Sequence, residues 1–413
     1  MKNRIILLTQ WFDPEPSFKG MVFARELQRI GYQVEVITGF PNYPGGKVYP
    51  GYRVKWIQRE VIDGVQITRV PLYPSHDQSA LKRIFNYVSF AASATIYGVL
   101  CAKRAAVLYA YHPPLTVGMA AAVIKFFRRT PIVYDIQDMW PDTLKATGML
   151  SNASALRIVD RICRWVYQRV DHIVVLSPGF KRVLLSRQVP EKKVSVIFNW
   201  ADETSLSTPA GKLHADFPSD KYFRIVFAGN MGTAQSLDFV LDAAQLLQSR
   251  DSRVRWVFIG GGLEVQRLKD ETSKRALFNV TFLPAVPMRE VGQYLKNADA
   301  LLVHLRKDPL FAITIPSKTQ AYMAVGKPIL MGVDGDASEL VRESGAGVIA
   351  ESQNAASIAQ AAEFLAKSPQ EQLDKMAEKA RHYYDEHLSL ERGVKQFHDI
   401  FQTLIKPCIE GNP

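Results

Sequence analysis

Short apolar runs alternate with longer helical stretches along this chain, and the alternation occurs twice. No single motif restricts the fold as strongly. The first series places strands at 4–9, 33–38, 55–60, 66–71, 106–111, 130–136, 172–177 and 194–200, with helices over 20–31, 80–104, 114–128 and 154–170. Polar, proline-containing residues 201–220 read as a linker. The second series places strands at 223–228, 254–259, 279–283, 299–304, 328–332 and 347–350, and helices at 235–248, 263–274, 288–296, 317–325, 336–344 and 355–367. Polar helices from about 370 to 405 close the chain. Strands that alternate with helices form mainly parallel sheets covered on both faces. A chain of 413 residues also exceeds one ordinary core. The expected architecture is therefore α/β: two doubly wound, Rossmann-like domains facing across a cleft. They cover residues 1–200 and 201–385, and a C-terminal helical segment, 386–413, is expected to pack back toward the first. Ligands of such sheets sit beyond the carboxyl ends of the strands.

Composition and charge narrow the function. Apolar residues make up 47% and charged residues 22% of the chain, as in an ordinary globular protein. Cys101, Cys163 and Cys408 are odd in number and far apart, which excludes a disulfide framework or a cysteine metal site and fits a reducing cytosol. The start, MKNRIILLTQWFDPEP, reads as a buried strand and not a secretion signal. Residues 1–200 carry 27 Lys+Arg against 13 Asp+Glu, whereas the remainder carries 24 against 27. All of the positive excess thus lies in the first half, which suggests an anionic partner there, a membrane surface or a nucleic acid. Residues 84–102 lack any charge, but Asn86, Ser89, Ser93, Thr95 and Gly98 dilute them as a membrane span. The spacing of Leu81, Phe85, Val88 and Ala92 suits a helix packed on a sheet. An interfacial helix, with Lys82, Arg83, Lys103 and Arg104 at the headgroups, is the other reading.

Residues 306–328, RKDPLFAITIPSKTQAYMAVGKP, carry the clearest chemistry. Arg306 and Lys307 follow a strand, and Pro316, Ser317 and Lys318 open a helix that ends at Gly326. A proline-started helix offers free N–H donors and partial positive charge to an anion, and the flanking cations make a phosphate the natural guest. Gly229-Asn230-Met231-Gly232 follows the first strand of the second series, where glycine lets backbone approach a phosphate. Gly260-Gly261-Gly262, with Glu264 after it, supplies another compact strand-to-helix turn but is a weak signal alone. Asp334-Gly335-Asp336 has the spacing of a metal-binding triplet but reads better as a turn and helix cap.

The succession KGMVFARELQRIGYQVEVIT, YDIQDMWPD, FAGNMGTAQSLDFVLDAA and IPSKTQAYMAVGKPIL resembles the GT-B glycosyltransferases of family 4. Within that family it is most similar to the bacterial polysaccharide branch that includes WbuB-type fucosamine transferases, over roughly residues 1–390. The resemblance implies retaining transfer of a sugar from a UDP-sugar, such as an N-acetylated amino sugar, with neither metal nor cofactor. It implies a donor held by the second domain, with phosphates at Gly229, Asn230 and Gly232 and the uracil ring at Pro284 and Val286, which lie in the loop after a strand. Arg306, Lys307, Pro316, Ser317 and Lys318 would serve the diphosphate, Arg306 and Lys318 catalytically. Gly20, beside Lys19, opens a helix whose loop approaches the donor phosphate or the acceptor. The loop Pro41–Gly46 would shape the acceptor pocket. Many relatives carry a histidine followed by aspartate where this chain has Gln137-Asp138, so Asp138 becomes the candidate that assists the acceptor hydroxyl, with Asp135, Asp142 and His112 as rivals. Two glutamates usual in the family are replaced by Ile313 and Ala321, which leaves Gln320 or Glu339 to meet the ribose. The implied acceptor is a polyprenyl-diphosphate-linked saccharide on an anionic membrane, without nucleic acid, and the implied place is peripheral, on the cytoplasmic face. The alternatives are a GT-B sugar-nucleotide epimerase and a non-enzymatic membrane-binding protein.

Overall fold

A computed structural model describes residues 3–75, 80–146, 148–207, 213–250 and 252–405. Cys408 and residues 406–413 of the expected C-terminal segment lie outside the described residues, as do positions 208–212 of the expected linker. The chain divides into two compact units: unit 1, residues 1–197 and 393–413, and unit 2, residues 198–392.

Unit 1 is built on β1 (Arg4–Leu8), β2 (Gln33–Gly39), β3 (Gln58–Ile62), β4 (Val65–Val70), β5 (Val107–His112), β6 (Ile132–Ile136), β7 (His172–Val175) and β8 (Val194–Val196). Its helices are α1 (Met21–Arg29), α2 (Ala80–Leu100), α3 (Leu115–Arg128), α4 (Asp142–Ala146), α5 (Ala153–Arg169) and α6 (Pro178–Ser186). The strand order is β3-β4-β2-β1-β5-β6-β7-β8, parallel throughout except for β3. That exception follows from Asp63-Gly64, two residues with positive φ that turn β3 directly back into β4. The last strand is shorter than the expected 194–200: pairing ends where the Ile197 amide donates to Val175 O.

Unit 2 contains β9 (Phe223–Ala228), β10 (Val254–Ile259), β11 (Val280–Leu283), β12 (Ala300–His304), β13 (Ile329–Gly332) and β14 (Gly347–Ile349). Its helices are α7 (Glu203–Ser207), α8 (Asp238–Gln248), α9 (Val265–Lys274), α10 (Met288–Lys296), α11 (Pro309–Ala312), α12 (Ser317–Val325), α13 (Asp336–Ser344), α14 (Ala355–Lys367) and α15 (Gln370–Tyr383). A final helix, α16 (Leu390–Ile405), crosses the division between the units and buries Phe397 and Phe401 against Phe23, Tyr32 and Tyr109 of unit 1. The sheet order is β11-β10-β9-β12-β13-β14, all parallel, with apolar layers on both faces. The order reverses between β9 and β12, and in unit 1 between β1 and β5. At such a reversal the two connections leave in opposite directions and open a crevice at the carboxyl ends.

Two helical faces differ from expectation. Leu81, Phe85, Val88 and Ala92, expected to pack on a sheet, are all exposed. The inner face of α2 is instead Asn86, Phe90, Ala94 and Tyr97, because the chain beneath needs polar partners. Asn86 donates to Tyr73 O at 2.7 Å, and the Tyr97 hydroxyl bonds Thr68 and Glu35. On α1, where helical spacing sets Val22, Phe23, Leu27 and Ile30 on one side, Phe23 and Leu27 are buried but Val22 points outward.

Candidate active site

In unit 2 the parallel strands bring the loops after β9, β10, β11, β12 and β13 to one edge of the sheet. The loops after β9 and β10 are stitched together: Gly229 N donates to Ile259 O at 2.8 Å and Met231 N to Gly261 O at 2.7 Å. The glycine run makes this approach possible, since a Cβ on Gly260 would lie 2.1 Å from Gly229 O. Across the reversal point, Arg306 N donates to Ala234 O at 2.9 Å. Beneath it, His304 is buried between Gln235 O and the Gln353 amide, and burial pulls its pKa down. This histidine was not singled out from the sequence, where it is one more residue of an apolar strand.

Lys318 occupies the centre of this edge. Its ammonium lies 3.4 Å from the centroid of the Phe227 ring, and its Cε lies 2.8 Å from where a Gly229 side chain would begin. Gly229 is thus required both by its φ of 132° and by the lysine over it. No carboxylate pairs with Lys318 among the described residues, and burial alone lowers its pKa to about 7. α12 starts after Pro316 without a side-chain cap, and Thr319 Oγ1, in the same turn, is buried without a hydrogen-bond partner. Ser317 and Asn230 are exposed at this edge. The Arg306 guanidinium lies 3.4 Å from Asp308 and faces the Phe311 ring.

Three expected donor-site residues are placed differently. Lys307 pairs with Glu351 at 2.7 Å, beyond β14 at the sheet margin, so its charge is already answered away from β9. Gln320 is buried; with its amide set to satisfy its neighbours, it donates to Pro316 O at 2.8 Å and Ser317 O at 3.2 Å. It is therefore spent on its own helix and is not aimed at a ribose. Glu339 is exposed and paired with Arg342. Pro284 is exposed and Val286 half-buried in the loop after β11. Asp334 is exposed while Asp336 is buried in the first turn of α13, as a turn and helix start.

In unit 1 the carboxyl edge gathers the loops after β1, β2, β5 and β6. Glu15 is buried there and accepts from the amides of Asn42 and Tyr43, both at 2.7 Å, and from Phe12. It fixes the 41–46 loop, and burial pushes its carboxyl up to about 7 against those three bonds. Trp11 packs on Tyr43, centroids 4.7 Å apart, and on Tyr87. At the start of α1, Asp13 accepts from Met21 N at 2.7 Å and fills the space a Gly20 side chain would need. A carboxylate thus sits where Gly20 was expected to open the helix to a phosphate. Neither acid was singled out, although both stand in the WFDPEP segment just past β1.

The three candidate aspartates separate cleanly. Asp135 is fully buried, taking Lys19 at 2.6 Å, the Tyr109 hydroxyl at 2.5 Å and the Gln137 amide at 2.6 Å. Asp142 pairs with Arg187. Asp138 is half-buried, and its carboxylate has no hydrogen-bond or ion-pair partner among the described residues. Burial raises its pKa, and its charge is felt by the hydroxyls of Tyr87 and Tyr111. His112 is buried among Tyr134 and Trp140 and held neutral, its pKa lowered to about 3 by burial.

Known proteins share this fold. The glycosyl transferase 4-like domain model matches residues 21–200, and the glycosyl transferases group 1 model matches residues 212–383. The chain is 26% identical over 274 residues to a Pseudomonas aeruginosa protein provisionally named glycosyltransferase WbjE, which covers 65% of this chain and 66% of the relative's length. It is 25% identical over 313 residues to Escherichia coli K12 WcaI, provisionally named a colanic acid biosynthesis glycosyl transferase, covering 72% and 74%. Among solved structures, Anabaena HepE, crystallised with UDP and glucose, superposes with a TM-score of 0.68 at 14% identity over 97% of this chain and 99% of that one. Sucrose-phosphate synthase from Thermosynechococcus elongatus gives 0.68 at 14% identity over 98% and 100%. Such low identities speak for the fold alone. Two parallel-sheet units, each matched by its own glycosyltransferase model, place the chain among the GT-B glycosyltransferases.

Proposed function

We propose that the protein transfers a sugar, with retention at the anomeric carbon and without a metal ion, from a UDP-sugar to a saccharide carried on polyprenyl diphosphate. Lys318 carries the donor half of this reading: a crowded ammonium with no carboxylate of its own, at the point where the strand order reverses. As the bond between the sugar and the diphosphate breaks, negative charge builds on the leaving group. Lys318, Arg306 and the uncapped start of α12 neutralise it. UDP is favoured because HepE was crystallised with UDP-glucose and an Escherichia coli trehalose-6-phosphate neighbour with UDP-2-fluoro glucose. A polysaccharide product is favoured by the colanic acid name of WcaI. The amino sugar, as in UDP-N-acetyl-fucosamine, rests on the family resemblance. Asp138, unpaired at the carboxyl edge of unit 1, orients the acceptor hydroxyl for attack.

The test is a ligand screen followed by one substitution. UDP-sugars, and not GDP- or dTDP-sugars, raise the melting temperature. Lys318→Ala then lowers turnover about 10²–10³-fold, the usual loss when one stabiliser of a charged transition state is removed. Wild-type turnover in that variant rules the assignment out.

A further inference from the structure

The outward face of α2 is inverted relative to an ordinary surface helix. Leu81, Phe85, Val88, Ala92, Ile96 and Leu100 recur at three- and four-residue spacing and are all exposed, Leu81 and Leu100 by 69% and 73%. The polar side chains are instead consumed inside: Asn86 and Ser89 bond the Tyr73 backbone, and Ser93 and Thr95 bond carbonyls of their own helix. The 21-residue helix makes this apolar stripe about 30 Å long. Arg128 donates to Val99 O at 3.1 Å, joining the end of α3 to the end of α2, and there Phe126 and Phe127 are 79% and 62% exposed. From residue 78 to 134 the chain has seven Lys and Arg and no Asp or Glu. Lys103, Arg104 and Arg129 are exposed beside the far end of the stripe. Among the described residues no helix is long and apolar enough to cross a membrane.

We propose that α2, continued by Phe126 and Phe127, lies flat on an anionic lipid bilayer, its apolar stripe in the acyl boundary and the basic residues among the headgroups. An apolar face with a basic margin, on a segment that itself carries no acidic residue and meets one at Lys125–Asp171, is complementary to such a surface. A second copy of the chain would bring the same positive charges together. Two turns in from the other end of the helix, Tyr87 packs on Trp11 and feels the charge of Asp138. The catalytic edge of unit 1 therefore borders the bilayer, where a lipid-linked acceptor presents its first sugars. This last point rests on the acceptor proposed above, whereas the bilayer contact does not.

Flotation of the full chain with vesicles tests it. The wild type floats with phosphatidylcholine vesicles containing about a third phosphatidylglycerol, and at least about tenfold less with phosphatidylcholine alone or in high salt. Phe85→Glu combined with Ile96→Glu abolishes flotation while the melting-temperature rise with UDP-sugar persists, which shows that the variant is folded. Lys103→Glu with Arg104→Glu weakens flotation about tenfold or more. Absence of wild-type flotation, or unchanged flotation of the Phe85/Ile96 variant, overturns the proposal. So does a wild-type dimer that the same variant splits. Flotation without any UDP-sugar response would sink the donor assignment and leave the bilayer contact standing.

Discussion

In unit 1 the ammonium of Lys19 meets Asp135 at 2.6 Å, both side chains fully buried; in unit 2 the ammonium of Lys318 meets the face of Phe227 and no carboxylate among the described residues. The helix starts differ in the same sense. α1 begins on the Asp13 carboxylate, whereas α12 begins uncapped with a buried, unpartnered Thr319 hydroxyl beside it. Desolvating a lone cation is costly, and a fold tolerates it where the charge is answered part of the time by something else. Unit 1 has satisfied its cation internally, and that pair is architecture. Unit 2 holds its cation without a carboxylate among the described residues, which is what the donor site proposed above requires. The same contrast separates two aspartates three positions apart, Asp135 with three side-chain partners and Asp138 with none among the described residues.

If this contrast is right, the paired groups govern stability and the unpaired ones govern turnover. Asp138→Asn should slow transfer by about 10²-fold or more, the scale of a positioned acid–base group, while leaving the UDP-induced melting shift in place. An unchanged rate would remove Asp138 from the chemistry. Asp135→Asn should instead cost about 3–5 kcal/mol in the denaturant unfolding of unit 1, because Lys19 is left charged and buried. A variant as stable as the wild type would mean that the pair is not structural. The smallest effect is the sharpest: the pH dependence of donor binding. Burial lowers the pKa of Lys318 to about 7, from an ordinary lysine value of 10.5, so the folded state gives up a proton that the unfolded state keeps between those two values. The cost of burying the charged form is therefore fully present below about pH 7 and is relieved as pH rises. A diphosphate needs the charged form. UDP affinity measured by calorimetry should therefore be greatest below pH 7 and fall by up to about tenfold per unit above it, with the slope absent in Lys318→Ala. A flat wild-type profile would show that the ammonium does not meet the ligand.

Much of the molecule was legible in the chain. The strands of unit 2 fall where apolar runs stand between helical stretches, and Pro316 starts α12 where its ring and neighbours indicate. Lys318 was marked by the proline-started helix that carries it, and Asp138 by its place just past a strand where relatives carry a histidine followed by aspartate. What escaped notice was partnership. Lys307 and Arg306 look alike in sequence, yet Lys307 pairs with Glu351, 44 residues on, while Arg306 lies 3.4 Å from Asp308, two residues on. Gln320 has the reach for a ribose but bonds its own helix start. Glu15 and Asp13 stand just past β1, and they tie together the loops at the carboxyl edge of unit 1.

The periodicity of apolar residues by itself determined two series of strands and helices, and hence sheets whose functional loops share one edge, because period and length depend only on neighbours along the chain. Which charges are answered was decided by the tertiary structure, since Lys19 finds Asp135 across 116 residues and Lys318 finds no carboxylate among the described residues. The direction α2 faces was decided there too. A helix with apolar residues on two sides can bury either, and the hydrogen bonds owed to Tyr73, Thr68 and Glu35 drew its polar residues inward.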